Sequence, residues 1–126
     1  MGQFKRDIMT VLIVEDNAGI RRLLRRTFID IASAVWECSD GADALTAYAN
    51  HRPDIVLMDI RMPRMDGLTA TRQIRQFHPS ARIVMVTDYE DEDLCNAASE
   101  AGASGYALKQ NLTDLPGIIC SLVDCS

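Results

Sequence analysis

At 126 residues the chain is long enough for one domain with a real core, and its 48% hydrophobic and 25% charged content is ordinary for a soluble globular protein. A formal charge of −5 speaks against general nucleic-acid affinity, because no cationic excess is available to neutralise phosphates. No apolar run approaches membrane-spanning length, and charges stand at the N-terminus where a signal peptide would be apolar, so neither a span nor a leader is expected.

The first apolar run, Val11-Leu12-Ile13-Val14, is short and without alternation, the pattern of a strand buried on both faces of a parallel sheet. A helix is predicted over 17–29, with Ile20, Leu23, Leu24 and Phe28 on one face and Arg21, Arg22, Arg25 and Arg26 largely elsewhere. Asp16 or Asn17 can cap its start. Ala34-Val35-Trp36 is a weaker strand, followed after Ser39-Asp40-Gly41 by a helix over 41–50 that ends before Pro53. The run Ile55-Val56-Leu57-Met58 is a third strand, and a helix over 66–77 opens with Asp66 and stops before Pro79. Ile83-Val84-Met85-Val86 is a fourth strand. The next helix, 90–101, has the acids Glu90-Asp91-Glu92-Asp93 at its positive end and Gly102 after its last residue. Tyr106-Ala107-Leu108 is a weaker fifth strand. The last helix, 113–124, carries Leu115, Ile118, Ile119 and Leu122, and tolerates Pro116 because it falls in the first turn.

Strands alternating with helices in this way predict a single α/β domain over 1–126, a three-layer sandwich with right-handed crossovers. Sites in such sheets gather beyond the carboxyl ends of the strands. Just past the runs stand Glu15-Asp16, Asp59, Thr87-Asp88 and Lys109; the second strand ends in Cys38-Ser39-Asp40, which adds little. Carboxylates converging on one edge repel each other, and a divalent cation resolves the conflict. Oxygen ligands without a histidine or thiol cluster favour Mg²⁺ or Mn²⁺ over zinc. A lysine and a threonine hydroxyl at the same edge suit a phosphoryl group, and a carboxylate there could itself be the nucleophile, forming an acyl phosphate. Singly, each residue has a plainer reading: Asp16 as a helix cap, Lys109 as a solvated lysine, Thr87 as a turn residue. Their joint position at the strand ends carries the argument.

"VLIVEDN" (11–17), "PDIVLMDIRMPRMDG" (53–67), "IVMVTD" (83–88) and "GASGYALK" (102–109) stand in the order and spacing of a known family. Over about residues 8 to 125 the chain resembles the receiver domain of bacterial two-component response regulators, and "ASGYALKQ" is similar to receivers that precede LuxR-type DNA-binding domains. The resemblance implies a flavodoxin-like (βα)5 fold with parallel strand order 2-1-3-4-5. It implies that Asp59 accepts a phosphoryl group from a sensor histidine kinase, with Mg²⁺ held by Asp16, Asp59 and the backbone carbonyl of Arg61, and by Glu15 through water. Lys109 would contact the phosphoryl oxygens, Thr87 would hydrogen-bond one of them, and Tyr106 would turn inward as Thr87 moves. Arg61 and Tyr89 would flank the site and tune hydrolysis. The face over 90–124 would serve a homodimer or an effector domain, DNA being reached only through an effector domain absent from this chain. The resemblance implies a signalling phosphoacceptor with at most slow self-dephosphorylation, not an enzyme, while the cysteine usage and the lack of an apolar span lead to the expectation of a cytoplasmic chain with no membrane partner.

Two positions depart from the family. Gln110 replaces the proline that usually follows the lysine, so a cis bond is not expected there. Asp88 replaces a small residue beside the threonine; either it points outward, or it slows phosphorylation or loosens the switch. These departures motivate one rival reading, an interaction module independent of phosphate. A phosphohydrolase using Asp59 is the other, although Ile60-Arg61 lacks a second acid and the short connections leave little room for a cap. Met62-Pro63 fixes the loop after the acid, and Gly67 is expected to let the chain turn into the third helix. The arginine stretch reads as a solvated helix face, part of it near the kinase. Phe28, Trp36 and Phe77 read as core, and His51 and His78 as connection residues. "GASG" precedes a strand, so it is no dinucleotide fingerprint. Cys38, Cys95, Cys120 and Cys125 form no C-x-x-C pair and read as packing residues of a reduced chain.

Overall fold

A computed structural model describes residues 9–88 and 90–124. The expectations for Tyr89, Cys125 and the Cys120 side chain lie outside the described residues. Strands β1 (Thr10–Val14), β2 (Ala34–Cys38), β3 (Ile55–Asp59), β4 (Ile83–Thr87) and β5 (Gly105–Leu108) alternate with helices α1 (Ala18–Phe28), α2 (Ala44–His51), α3 (Gly67–Phe77), α4 (Glu92–Ala101) and α5 (Leu115–Asp124). All strand pairs are parallel, in the order β2-β1-β3-β4-β5, with Val14 opposite Met58 and Asp59 opposite Val86. This is the flavodoxin-like order.

Successive side chains of a strand face opposite sides of the sheet, so each central strand feeds two cores. Val11, Ile13, Leu57 and Val86 pack with Leu24 and Phe28 of α1 and with Leu115 and Ile119 of α5. Leu12, Val14, Met58 and Met85 pack with Ala44 and Tyr48 of α2, Ala70 and Ile74 of α3, and Ala98 of α4. Every residue of β3 and β4 is buried, which is why those runs are apolar throughout. Each such aliphatic side chain contributes about 1.5–3 kcal/mol of transfer free energy.

The helix starts follow local chemistry. Asn17 Oδ1 accepts from the Ile20 N–H at 2.9 Å, Asp66 from Thr69 at 2.8 Å, and Asp91 from Asp93 at 2.8 Å and Leu94 at 3.2 Å. Gly102, at φ +106°, closes α4 in the left-handed conformation. The predicted second helix begins instead with a 3-10 turn, Gly41–Asp43, capped by Asp40.

Several expectations are corrected. Leu23 is 45% and Phe77 63% exposed. The ridge of α1 that meets the sheet is Ile20-Leu24-Phe28, and Leu23 lies beside it. On α3 the buried ridge runs through Ala70, Thr71 and Ile74 to His78, whose ring packs on Tyr48 at 4.8 Å, so Phe77 is left outside. His51 is not in a connection but ends α2, its ring stacked on Trp36 at 4.2 Å. Cys38 is half-buried, whereas Cys95 is exposed. As expected, the Lys109–Gln110 peptide is trans, and a 3-10 segment, Lys109–Asp114, leads into α5. No helix among the described residues is long and apolar enough to cross a membrane.

Candidate functional site

The parallel sheet delivers four strand ends to one edge, where a cavity of about 340 Å³ opens. It is lined by Glu15, Asp16, Asn17, Ile20, Asp59, Arg61, Thr87, Asp88 and Lys109. Glu15, Asp59 and Thr87 are buried at the ends of β1, β3 and β4, while Asp16, Arg61 and Asp88 are exposed at the mouth. Lys109, at the end of β5, is half-buried. The Glu15 N–H donates to the Cys38 carbonyl at 3.1 Å, which holds the acid at the continuation of the β1–β2 ladder.

One carboxylate oxygen each of Glu15, Asp16 and Asp59 fall within 4.8 Å of one another. Lys109 Nζ lies 3.1 Å from Glu15 Oε1 and 3.2 Å from Asp59 Oδ1. Glu15 Oε2 accepts from the Asn17 N–H at 3.1 Å and from Lys109 at 3.4 Å. Burial first, and then the Asp59 charge, push the Glu15 carboxyl up to about 7; the Asn17 N–H and the lysine pull the other way. Burial also raises Asp59, partly offset by Lys109. Burial works against the Lys109 ammonium, yet the facing Asp59 and Glu15 charges outweigh it and its pKa rises. Two carboxylates thus share one cation.

The set fits a divalent cation on its own chemistry. The donors are all oxygens, they converge, and buried Glu15 Oε1 has no hydrogen-bond donor of good geometry. Thr87 is linked to Tyr106 on β5. Burial raises the Tyr106 phenol's pKa, and hydrogen bonds from the Asp91 backbone and the Thr87 hydroxyl oppose that rise. The Tyr106 ring lines a second cavity of about 190 Å³ with Cys95 and Ala98, so the Thr87–Tyr106 link joins the acid site to the α4–β5 face.

Asp59, Glu15, Asp16, Thr87, Lys109 and Arg61 therefore meet in one cavity, and Tyr106 stands behind Thr87. The second strand end, set aside on sequence, does contribute. Buried Asp40 accepts from the Ala42 N–H at 2.7 Å through Oδ1, and from the Arg64 backbone and Nε at 3.3 Å through Oδ2. Those bonds hold its carboxyl below the usual range. They anchor the loop after Asp59 to the loop after β2; an acid followed by glycine beyond a strand is the signal that was available. Arg21 and Arg25 are also more than a solvated face. Both pair with Glu37 of β2, at 3.1 and 2.9 Å, and Arg21 donates to the Glu15 carbonyl at 2.8 Å.

Gly67 has another role than the one expected. Its φ is not in the left-handed region, so no special turn requires it. A Cβ there would collide with the Asp59 carbonyl oxygen, and the Gly67 N–H donates to the Ile60 carbonyl at 2.7 Å. Glycine lets the start of α3 lie directly against the end of β3.

Residues 11–119 match the response regulator receiver domain family. The chain is 38% identical over 99 residues to the chemotaxis protein CheY of Halobacterium salinarum, covering 79% of this chain and 82% of that protein. Its fold superposes with a TM-score of 0.85 at 30% identity on a chain of the CheX-CheY-BeF3-Mg²⁺ complex from Borrelia burgdorferi, covering 90% and 88% of the two chains. A LuxR-family two-component response regulator from an Aurantimonas species superposes with a TM-score of 0.80 at 30% identity, covering 90% and 86%.

Proposed function

The chain belongs to the response regulator receiver domain family of two-component signalling systems, and on that premise we propose that Asp59 is its phosphoryl acceptor. The observation that carries this reading is the meeting of Glu15, Asp16 and Asp59 within 4.8 Å, with Lys109 3.2 Å from Asp59. Asp16, Asp59 and the Arg61 backbone carbonyl would hold Mg²⁺, and Glu15 would act through water. When bound, the metal offsets the carboxylate charge and the charge developing on the phosphoryl oxygens.

Asp59 attacks phosphorus in line; the bond from phosphorus to the kinase histidine breaks, and its electron pair stays on the imidazole. Lys109 then leaves its carboxylate partners for the new phosphoryl oxygens, a local charge change of the kind that biases a two-state element. Thr87 donates its hydroxyl to one of those oxygens, and Tyr106, bonded to Thr87, settles inward with it. The altered surface is the face of α4, β5 and α5, offered to a second copy or to an effector domain; DNA is reached only through such a domain. We place this single receiver in the cytoplasm, as a signalling phosphoacceptor whose own dephosphorylation is slow and is tuned by Arg61. A module independent of phosphate is not favoured, because Asp59, Thr87 and Lys109 are brought together.

The test is incubation with Mg²⁺ and a small phosphoryl donor, read by intact mass. One added phosphoryl group in the wild type and none in Asp59→Asn is expected. Equal labelling of the variant would refute the assignment, and rapid donor turnover without an adduct would favour a hydrolase.

A further inference from the structure

The roles just assigned leave one charged group of the cavity unused. Asp88 follows Thr87 at the end of β4 and lines the same cavity as Asp59, exposed at its mouth. Among the described residues it forms no ion pair, whereas the buried acids Glu15 and Asp59 share Lys109. The cavity therefore holds four acids (Glu15, Asp16, Asp59 and Asp88) against two bases, Arg61 and Lys109. With a divalent cation added the formal sum is zero; without Asp88 it would be +1. A single exposed carboxylate thus takes the formal charge of the loaded site from +1 to zero.

Resting on the assignment of Asp59 as acceptor, we infer that Asp88 is a specificity-determining residue that selects phosphoryl donors of low net charge, nitrogen-linked phosphoramidates over dianionic acyl phosphates. The two donor classes deliver the same group to the same oxygen. With phosphoramidate, a monoanion whose nitrogen carries three protons, the bond from Asp59 Oδ to phosphorus forms as the P–N bond breaks, and ammonia leaves. With acetyl phosphate, a dianion, the P–O bond breaks instead and acetate leaves. Both steps conserve charge and give the same aspartyl phosphate; the donors differ by one unit of negative charge on approach. At a separation on the order of 7 Å through water, one unit charge changes an encounter by about two- to threefold at low salt, and by little at high salt.

Asp88→Asn removes the charge and keeps the shape. The initial rate of single phosphorylation, read by intact mass with saturating Mg²⁺, is measured for acetyl phosphate and for phosphoramidate in wild type and variant. At low ionic strength the ratio of the acetyl phosphate rate to the phosphoramidate rate should rise about two- to threefold in Asp88→Asn, and the gain should vanish at high salt. An unchanged ratio, or a gain that survives high salt, overturns the inference while leaving the acceptor in place. Equal acceleration with both donors overturns it in favour of a loosened switch. If neither donor labels the wild type, the acceptor assignment itself fails, and this inference with it.

Discussion

Gly67→Ala tests whether close packing, and not turn geometry, explains the glycine that opens α3. The added methyl would overlap the Asp59 carbonyl oxygen and stand 2.9 Å from Met58 Cγ, so the end of β3 and the start of α3 must separate. Neither neighbour can yield cheaply: Asp59 is hydrogen-bonded in the β3–β4 ladder, and Met58 is fully buried. Overpacking of this kind costs about 1–3 kcal/mol. Alanine recovers up to about 1 kcal/mol in a helix interior, and less at a helix start. The net loss should be about 1–2 kcal/mol, a fall in Tm of roughly 4–10 °C for a domain of this size. The displaced group is the backbone of Asp59 itself, so phosphoryl uptake should fall as well, by up to about 100-fold for a shift near 1 Å. Urea unfolding with comparison of m-values measures the first effect, and intact-mass labelling with Mg²⁺ and phosphoramidate the second. A variant as stable as wild type, or more stable through its helix propensity, would refute the packing argument. A normal labelling rate would refute the link to Asp59.

The acid cluster makes stability depend on pH. The Glu15 carboxyl sits at about 7 in the fold against 4.5 for its ordinary value, so the contribution is full below about pH 4.5 and is lost as pH rises through 7. In EDTA the urea midpoint should therefore fall between pH 5 and 8 on account of this group, and saturating Mg²⁺ should flatten the decline; a midpoint indifferent to Mg²⁺ at pH 8 would count against the shared site. Burial raises the Asp59 carboxyl, so its ionised form also opposes folding above its ordinary pKa. Asp59→Asn should accordingly be more stable than wild type at pH 8 in EDTA while losing phosphoryl uptake, and a less stable variant would show that Lys109 pairing dominates. In the core, Phe28→Ala should lose about 3–5 kcal/mol, whereas Phe77→Ala should stay within about 0.5 kcal/mol of wild type, both by urea titration.

What could be read from the residues alone depended on how far each signal is local. The central strands were legible almost to the residue, because burial on both faces forces a continuous apolar run; β2 and β5, at the sheet edges, are half-exposed, so their runs are shorter and mixed. Helix starts at Asn17 and Asp66 were legible because a cap is a bond across two or three residues, whereas the run of four acids at 90–93 places the start of α4 only to within two residues of Glu92. Phe77 and Leu23 were misplaced because periodicity fixes a helical stripe but not where the sheet meets it. The acid-glycine pair after β2 marks Asp40, but its partner Arg64, like the approach of Gly67 to the Asp59 carbonyl, was not legible for a different reason: each is a meeting of two loops or element ends, and no pattern within either segment records the partner.

Glu15 and Lys109 lie 94 residues apart and yet were placed together by topology, since a parallel sheet brings every strand end to one edge whatever the separation in sequence. That argument locates residues only as finely as a strand end. It cannot distinguish Glu15 and Thr87, which are buried, from Asp16 and Asp88, which are exposed at the mouth. The difference is chemically decisive. Buried Glu15 has its carboxyl pushed up to about 7 and must keep a proton or share a cation. Exposed Asp88 stands in water at the mouth and acts at a distance on whatever approaches. Acids at neighbouring strand ends thus do opposite work, one sensing what is bound and the other biasing what can bind, and the division follows from their depth in the cavity.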